Sequence, residues 1–178
     1  SPRAKPEDVA SCLASYARDA KARIEHSNLA AITSIRADLE KALGITFRGT
    51  KGEHLFRSTL VQTLFYGVFS AWVLWCKQQD NARPARFDWR LANWFLHVPM
   101  IKALFEQVVT PSKLGPLGLV EVFNWAGEAL NRVDQIAFFP KFDDTYSVHN
   151  FYATFLQAFE PERPTELGTL SPPHILFR

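Results

Sequence analysis

Cysteine and net charge are both scarce in this chain of 178 residues. Only Cys12 and Cys76 are present, far apart and each inside an apolar pattern, so a disulfide scaffold is excluded and reduced thiols in a cytoplasmic protein are predicted. The five histidines stand singly, without the spacing of a zinc site, and we expect no metal. A formal charge of only +2 leaves contact with DNA undecided.

Catalytic motifs are also missing. There is no Gly-x-Ser-x-Gly turn and no Gly-x-Gly-x-x-Gly fingerprint after a strand. The run 48–52, Arg-Gly-Thr-Lys-Gly, lacks the spacing of a phosphate-binding loop and is predicted to be a plain loop. We therefore expect no catalytic residue in this chain.

Apolar side chains, by contrast, are abundant and recur at helical spacing, with 15 Phe and 5 Trp. Steps of three and four residues predict helices over about 7–24, 29–43, 53–79, 88–95, 99–108, 119–138 and 147–159. The first two are either separate helices or one long kinked helix. Gly44 is expected to end the second helix, whereas Asp88 and Ser147 are expected to cap later ones. Residues 110–118 and 140–146 are predicted to be a loop and a turn. The fold class is thus all-α, an irregular bundle of about six or seven helices with a proline-rich tail at 161–178.

The longest apolar stretch, residues 58–76, carries no charge and approaches the length that spans a bilayer. Gln62, Thr63 and Tyr66 interrupt it with polar groups, so a buried central helix is predicted and no membrane partner is expected. A buried amide needs partners, and we expect Gln62 to tie helices together. Gly67 predicts close approach of a neighbouring helix or ring, since glycine inside a helix costs about 1 kcal/mol.

Residues 56–71, FRSTLVQTLFYGVFSA, resemble a helix of bacterial N6-adenine DNA methyltransferases of restriction-modification and phage-defence systems. In that family a helical region precedes the catalytic domain, and one of its helices reads approximately F-x-x-x-x-A-Q-T-L-x-Y-G-L-F-x-A. Three further blocks follow in the family's order. Leu104-Phe105-Glu106 resembles "lFe", Leu130-Asn131-Arg132-Val133-Asp134 resembles "LLNRaD", and residues 151–161, which include Tyr152, resemble "FYEtFLaAYDP".

The resemblance implies that residues 1–160 form a non-catalytic helical coupling domain of such an enzyme. The tail 161–178 would lead toward the methyltransferase domain, with Ser171-Pro172-Pro173 standing where the family has Thr-Pro-Pro beside S-adenosylmethionine. It implies no cofactor in this chain and S-adenosylmethionine in the parent enzyme. The partners would be the catalytic domain, in cis or in trans, and DNA through the parent enzyme. Interaction roles would fall to the matched residues Gln62, Thr63, Tyr66, Gly67, Asn131, Arg132, Asp134 and Tyr152.

A second interpretation stays open. In the tail the family's two tyrosines are missing and the segment is one residue shorter. This departure favours a stand-alone helical module that binds another protein through aromatic surface, without methyltransferase activity. The two interpretations differ in the length of the native polypeptide.

Overall fold

A computed structural model describes residues 2–27, 29–78, 84–97, 99–143 and 145–161. Within these residues the backbone forms helices joined by turns and irregular segments, without a strand, so the all-α prediction is confirmed. Seven α-helices have eight or more residues, and an eighth is a single turn. They are α1 (Pro6–Glu25), α2 (Leu29–Leu43), α3 (Gly49–Lys77), α4 (Pro99–Val108), α5 (Pro111–Leu114), α6 (Leu119–Asn131), α7 (Gln135–Phe142) and α8 (Thr145–Phe159). Two 3-10 helices, Trp89–Trp94 and Gly115–Leu117, complete the order.

The bundle is built around α3, the longest helix. All side chains from Ser58 to Val73 are buried, and 89% of the most apolar 18-residue window lies inside the bundle. By length and composition α3 is the one helix of the described chain that could cross a membrane. Its burial on all sides is instead what a central core helix requires, as predicted.

The other helices surround α3 in two groups. Helix α1 packs against α8, α6 and α3, and α2 packs against α4. The alanine-rich face of α1 makes its close packing possible, because Ala10, Ala14 and Ala17 are completely buried and need little space. The last helix, α8, is thereby held against both α1 and α7.

Several predicted helix ends are confirmed. Gly44 follows α2 with φ of +68°, the left-handed geometry of a C-terminal cap. Asp88 accepts a hydrogen bond from the Arg90 amide and caps the first 3-10 helix. Pro99 is the first residue of α4.

The predicted loop at 48–52 is wrong, because α3 begins at Gly49. Gly49 has φ of +67° and turns the chain into the helix. Gly52 is buried against the Phe47 backbone, where a Cβ atom would lie 2.7 Å from the Phe47 carbonyl carbon. These glycines are therefore needed for entry into a helix. At its other end α3 stops at Lys77, two residues before the predicted boundary.

The predicted loop at 110–118 is also wrong, since it contains α5 and the second 3-10 helix. Thr110 caps α5 by accepting a hydrogen bond from the Lys113 amide, and Pro111 fits its first turn. The short helices explain how a segment rich in proline and glycine stays ordered.

The helix predicted over 119–138 is two helices. Helix α6 ends at Asn131, and Asp134 caps α7 by accepting a hydrogen bond from the Ala137 amide. The turn predicted from residue 140 is wrong because α7 continues through Pro140. Proline has no amide hydrogen, so Pro140 cannot donate a hydrogen bond to the Ile136 carbonyl. That carbonyl lies in the exposed first turn of α7, where the loss of one hydrogen bond costs little stability. Ser147 was expected to cap α8, but that helix begins at Thr145.

Candidate functional site

The polar residues in the core of α3 connect three helices. Gln62, only 3% exposed, donates through Nε2 to Ser58 Oγ at 3.0 Å. Ser58 Oγ in turn donates to Glu160 Oε1, just beyond the end of α8. Lys21 of α1 reaches the same carboxylate oxygen at 3.1 Å. This group of four, Lys21, Ser58, Gln62 and Glu160, is called the Glu160 cluster below.

The Glu160 cluster fixes the C-terminal end of α8. The carboxylate accepts from both α1 and α3, and its side chain is 16% exposed. One turn earlier in α1, the Arg18 guanidinium donates to the Ala158 carbonyl, one of the last carbonyls of α8. A cation at a helix C-terminus also interacts favourably with the helix dipole. The end of α8 and Glu160 are therefore held firmly by α1 and α3.

Tyr66 of α3 and Tyr152 of α8 meet edge to face, with ring centroids 4.6 Å apart and an interplanar angle of 81°. Both are almost fully buried, and Thr63 is buried one turn before Tyr66. Burial raises the pKa of the Tyr152 hydroxyl well above its ordinary value of 10.0, although the nearby Ser70 hydroxyl opposes the rise. The pair thus packs α8 onto α3, and burial keeps the Tyr152 phenol in its neutral form at ordinary pH.

Gly67 lies beneath the ring of Phe105, which comes from α4. A Cβ atom at residue 67 would stand 2.5 Å from Phe105 Cε1 and nearer still to Cζ. Phe105 is itself 1% exposed, so the ring has no open side to move into. The predicted close approach of a ring at Gly67 is confirmed.

Asn131 anchors the segment before the first 3-10 helix. Its Oδ1 accepts from the Phe87 amide and its Nδ2 donates to the Phe87 carbonyl, both at 2.9 Å. Nearby, Asn124 Oδ1 accepts from Trp89 Nε1 at 2.9 Å. The last turns of α6 therefore present a row of amides that hold the segment in place.

Beyond Asn131 the matched block reaches the surface. Arg132 is exposed, whereas the Asp134 carboxylate caps α7 and its amide donates to the Arg3 carbonyl at 2.9 Å. Within residues 130–134, Asn131 therefore anchors the Phe87 backbone, Asp134 caps α7 and Arg132 is exposed. Ser171, Pro172 and Pro173 lie outside the described residues.

Several residues that matter here carry no obvious sign in the sequence. Glu160 and Arg18 look like ordinary surface charges, and only their meeting shows their role. Ser58 had a usable signal, because it precedes Gln62 by four residues and so shares its helix face. A polar residue four positions from a buried amide is its natural first partner.

The described residues bring together no catalytic constellation. They contain no group of three or more His, Cys, Asp or Glu side chains able to hold a metal ion. One open cleft of about 590 Å³ is lined by Lys5, Glu7, Asp8, Lys141 and Asn150. Its charges are of both signs, and no nucleophile and base face each other there.

Three large apolar side chains are exposed in the described chain. Ile136 is 90% exposed at the start of α7, Trp94 is 66% exposed at the end of a 3-10 helix, and Trp125 is 39% exposed on α6. Exposed aromatic side chains of this size are typical of contact residues in protein interfaces. They mark the surface positions at which another chain or ligand would gain most from contact.

Comparison with protein-family models, curated proteins and solved structures gives no match to this chain. The likeness to the methyltransferases therefore rests on the four sequence blocks alone.

Proposed function

We propose that the chain is a non-catalytic helical coupling domain of a bacterial N6-adenine DNA methyltransferase of a restriction-modification or phage-defence system. The parent enzyme would use S-adenosylmethionine in a separate catalytic domain, joined in cis or in trans, and would act on DNA in the cytoplasm. This chain would pack on that domain and transmit its position.

The observation that carries the proposal is the meeting of the matched blocks. Gln62 is joined through Ser58 to Glu160, Tyr66 packs on Tyr152, and Gly67 receives Phe105. Tyr66 and Gly67 of the first block therefore contact Tyr152 of the fourth block and Phe105 of the second directly, whereas Gln62 reaches Glu160 only through Ser58. Residues in close contact limit one another's size and shape, so these residue types are expected to occur together in proteins that share this packing.

The way the end of α8 is held supports the coupling role. In the family, the block that ends in Asp-Pro leads into the catalytic domain, and here Glu160-Pro161 stands at that place. Glu160 is held by α1 and α3, and Arg18 holds the Ala158 carbonyl. A rigid bundle fixed at this point would carry its orientation into the chain that follows.

A second candidate is the stand-alone interaction module. The exposure of Trp94, Trp125 and Ile136 favours it, since each would be covered by a protein partner. The same exposure suits docking on a methyltransferase domain, so the identity of the partner separates the two functions.

The test is immunoprecipitation of the native protein from source cells with an antibody raised against this chain. The precipitate is incubated with isotopically labelled S-adenosylmethionine and unmethylated plasmid DNA, and N6-methyladenine is measured by mass spectrometry. We expect methyl transfer, together with a polypeptide larger than 20.3 kDa or a coprecipitated catalytic subunit. A product of about 20.3 kDa that brings down no methyltransferase activity would refute the coupling role and leave the stand-alone module.

A further inference from the structure

The aromatic side chains that join α8 to α3 recur at four-residue steps on both helices. Phe151, Phe155 and Phe159 follow one another along α8 and are each no more than 3% exposed. Phe65 and Phe69 repeat the same step on α3, where Phe69 stacks on Phe151 with ring centroids 4.1 Å apart. Phe155 lies beside Phe65, at 6.4 Å. If α8 slipped by one turn along α3, Phe155 would therefore take the place of Phe151 opposite Phe69.

Helix α1, which packs along α8, offers little to distinguish these positions. Four of its eight buried residues are alanines, Ala10, Ala14, Ala17 and Ala20. Such short side chains leave few protrusions that would stop a neighbouring helix at one level. The repeated apolar groups therefore specify the register of α8 only weakly, and neighbouring registers lie one turn, about 5.4 Å, apart.

The polar contacts of α8 do not repeat in this way. The Glu160 carboxylate meets Ser58 of α3 and Lys21 of α1, and a slip of one turn in either direction would take it away from both. In one direction the carboxylate would reach the level of Gln62, whose side chain is only 3% exposed. In the other, Ser58 and Gln62 would lose the acceptor that ends their chain of hydrogen bonds. Because buried polar groups without partners are costly, both slipped registers are disfavoured.

We propose that the Glu160 cluster determines the register of α8 on α1 and α3. The cluster selects one position among those that the repeated phenylalanines and the alanines permit, as a single buried polar residue does in a coiled coil. Its main effect is on which packing is adopted, because replacing a buried ion pair by apolar groups of similar size often leaves stability unchanged. The inference concerns helix packing and does not depend on the proposed function.

The test replaces the polar members of the cluster by apolar side chains, in the triple variant Ser58→Ala/Gln62→Met/Glu160→Met. Because these changes roughly keep the size of each side chain and remove its need for a partner, we expect the urea midpoint to stay at or above that of the parent protein. The matched control is Thr59→Val, which also makes a buried polar side chain of α3 apolar but lies outside the cluster. Circular dichroism checks that the helices of each variant are intact.

The register is measured as the distance between two spin labels, one on α1 and one on α8. The labels are attached at Ser11→Cys and Gln157→Cys, both exposed positions, in a chain whose Cys12 and Cys76 are replaced by serine. Double electron–electron resonance should give one distance for the parent protein and for Thr59→Val. The triple variant should give a second population, displaced by up to about 5.4 Å, because one turn of α8 separates the registers.

A single, unchanged distance in the folded triple variant would overturn the inference, because the apolar groups would then set the register unaided. An equal second population in Thr59→Val would overturn it too, since any lost polar group in α3 would have the same effect. Should the triple variant not fold, Glu160→Met alone removes the carboxylate and leaves α3 unchanged; it should also give the second population, and a single distance there would refute the inference. These results leave the coupling role untouched, because that role is judged by methyltransferase activity in the native precipitate.

Discussion

Gly67→Ala adds one methyl group. Its effect on the free energy of unfolding is the balance between a gain in helix propensity and a steric clash with Phe105. In a helix interior alanine is favoured over glycine by about 1 kcal/mol, so an unobstructed site would gain stability. At residue 67 the new Cβ atom would stand 2.5 Å from Phe105 Cε1 and closer to Cζ. Ordinary carbon contacts are near 3.5–4.0 Å, so the ring must be displaced by more than 1 Å.

The magnitude follows from what surrounds the ring. Phe105 is 1% exposed, and its neighbour Leu104 is also buried, so the displacement spreads into α4. Overpacking of a dense core costs about 1–3 kcal/mol, and this overlap lies at the upper end. After subtraction of the helix-propensity gain, we expect Gly67→Ala to lower the free energy of unfolding by about 1–2 kcal/mol.

Urea unfolding followed by circular dichroism and tryptophan fluorescence measures this difference. The control is Gly127→Ala, because Gly127 lies inside α6 and an added Cβ would meet only Trp89 Cδ1 at 3.6 Å, an ordinary contact, so its effect should be neutral or slightly stabilising. Phe105→Leu should absorb part of the clash, so the double variant should lose less stability than the sum of the single variants. A Gly67→Ala protein at least as stable as the parent, with an unchanged m-value, would show that the ring does not restrict this site.

Three further predictions concern the polar contacts. Glu160→Gln should lower the free energy of unfolding by about 1 kcal/mol, since the Lys21 ion pair loses its charge while the shape is kept, and an unchanged urea midpoint would contradict this. Asn131→Ala removes both hydrogen bonds to the Phe87 backbone and should cost about 1–3 kcal/mol; hydrogen exchange at the Phe87 amide should accelerate, and unchanged protection would refute the anchoring role. Because burial raises the folded-state pKa of Tyr152 above 10.0, the unfolded chain releases its proton first, so stability is intact below that pH and falls above it by about 1.4 kcal/mol per pH unit. Tyr152→Phe should flatten this loss between pH 10 and 11 in urea titrations, and an equally steep loss in the variant would exclude Tyr152 as its source.

The helical framework could be predicted because it depends on local periodicity. Apolar residues at three- and four-residue steps identified α1, α2, α4 and α8, and glycine at φ of +68° after α2 is a local requirement. The errors have local causes as well. Glycines near residue 50 are typical of a loop. Here Gly49 starts α3 with a positive φ, and Gly52, which has no side chain, leaves room for the Phe47 backbone.

The candidate site was only half predictable because its partners are distant in sequence. Gln62 and Gly67 stood out as exceptions to an apolar helix, which is a local signal. Their partners did not, since Glu160 lies 102 residues after Ser58 and looks like a solvated charge. Trp125 was likewise predicted only as part of a helix. Its exposure depends on how α6 packs beside α1, which the sequence does not indicate.

The residues that carry the resemblance are mostly buried, so they can indicate how the helices pack but not which partner the surface binds. Gln62, Tyr66 and Tyr152 are each no more than 3% exposed, so they act on packing and cannot touch DNA or a catalytic domain directly. A shared set of such residues argues for a shared helical framework, because core positions are constrained by their neighbours. Whatever distinguishes a coupling domain from an independent module must instead lie on the surface, at Trp94, Trp125, Arg132 and Ile136. Variants at these exposed positions should leave the unfolding free energy nearly unchanged while altering binding, whereas core variants should do the reverse.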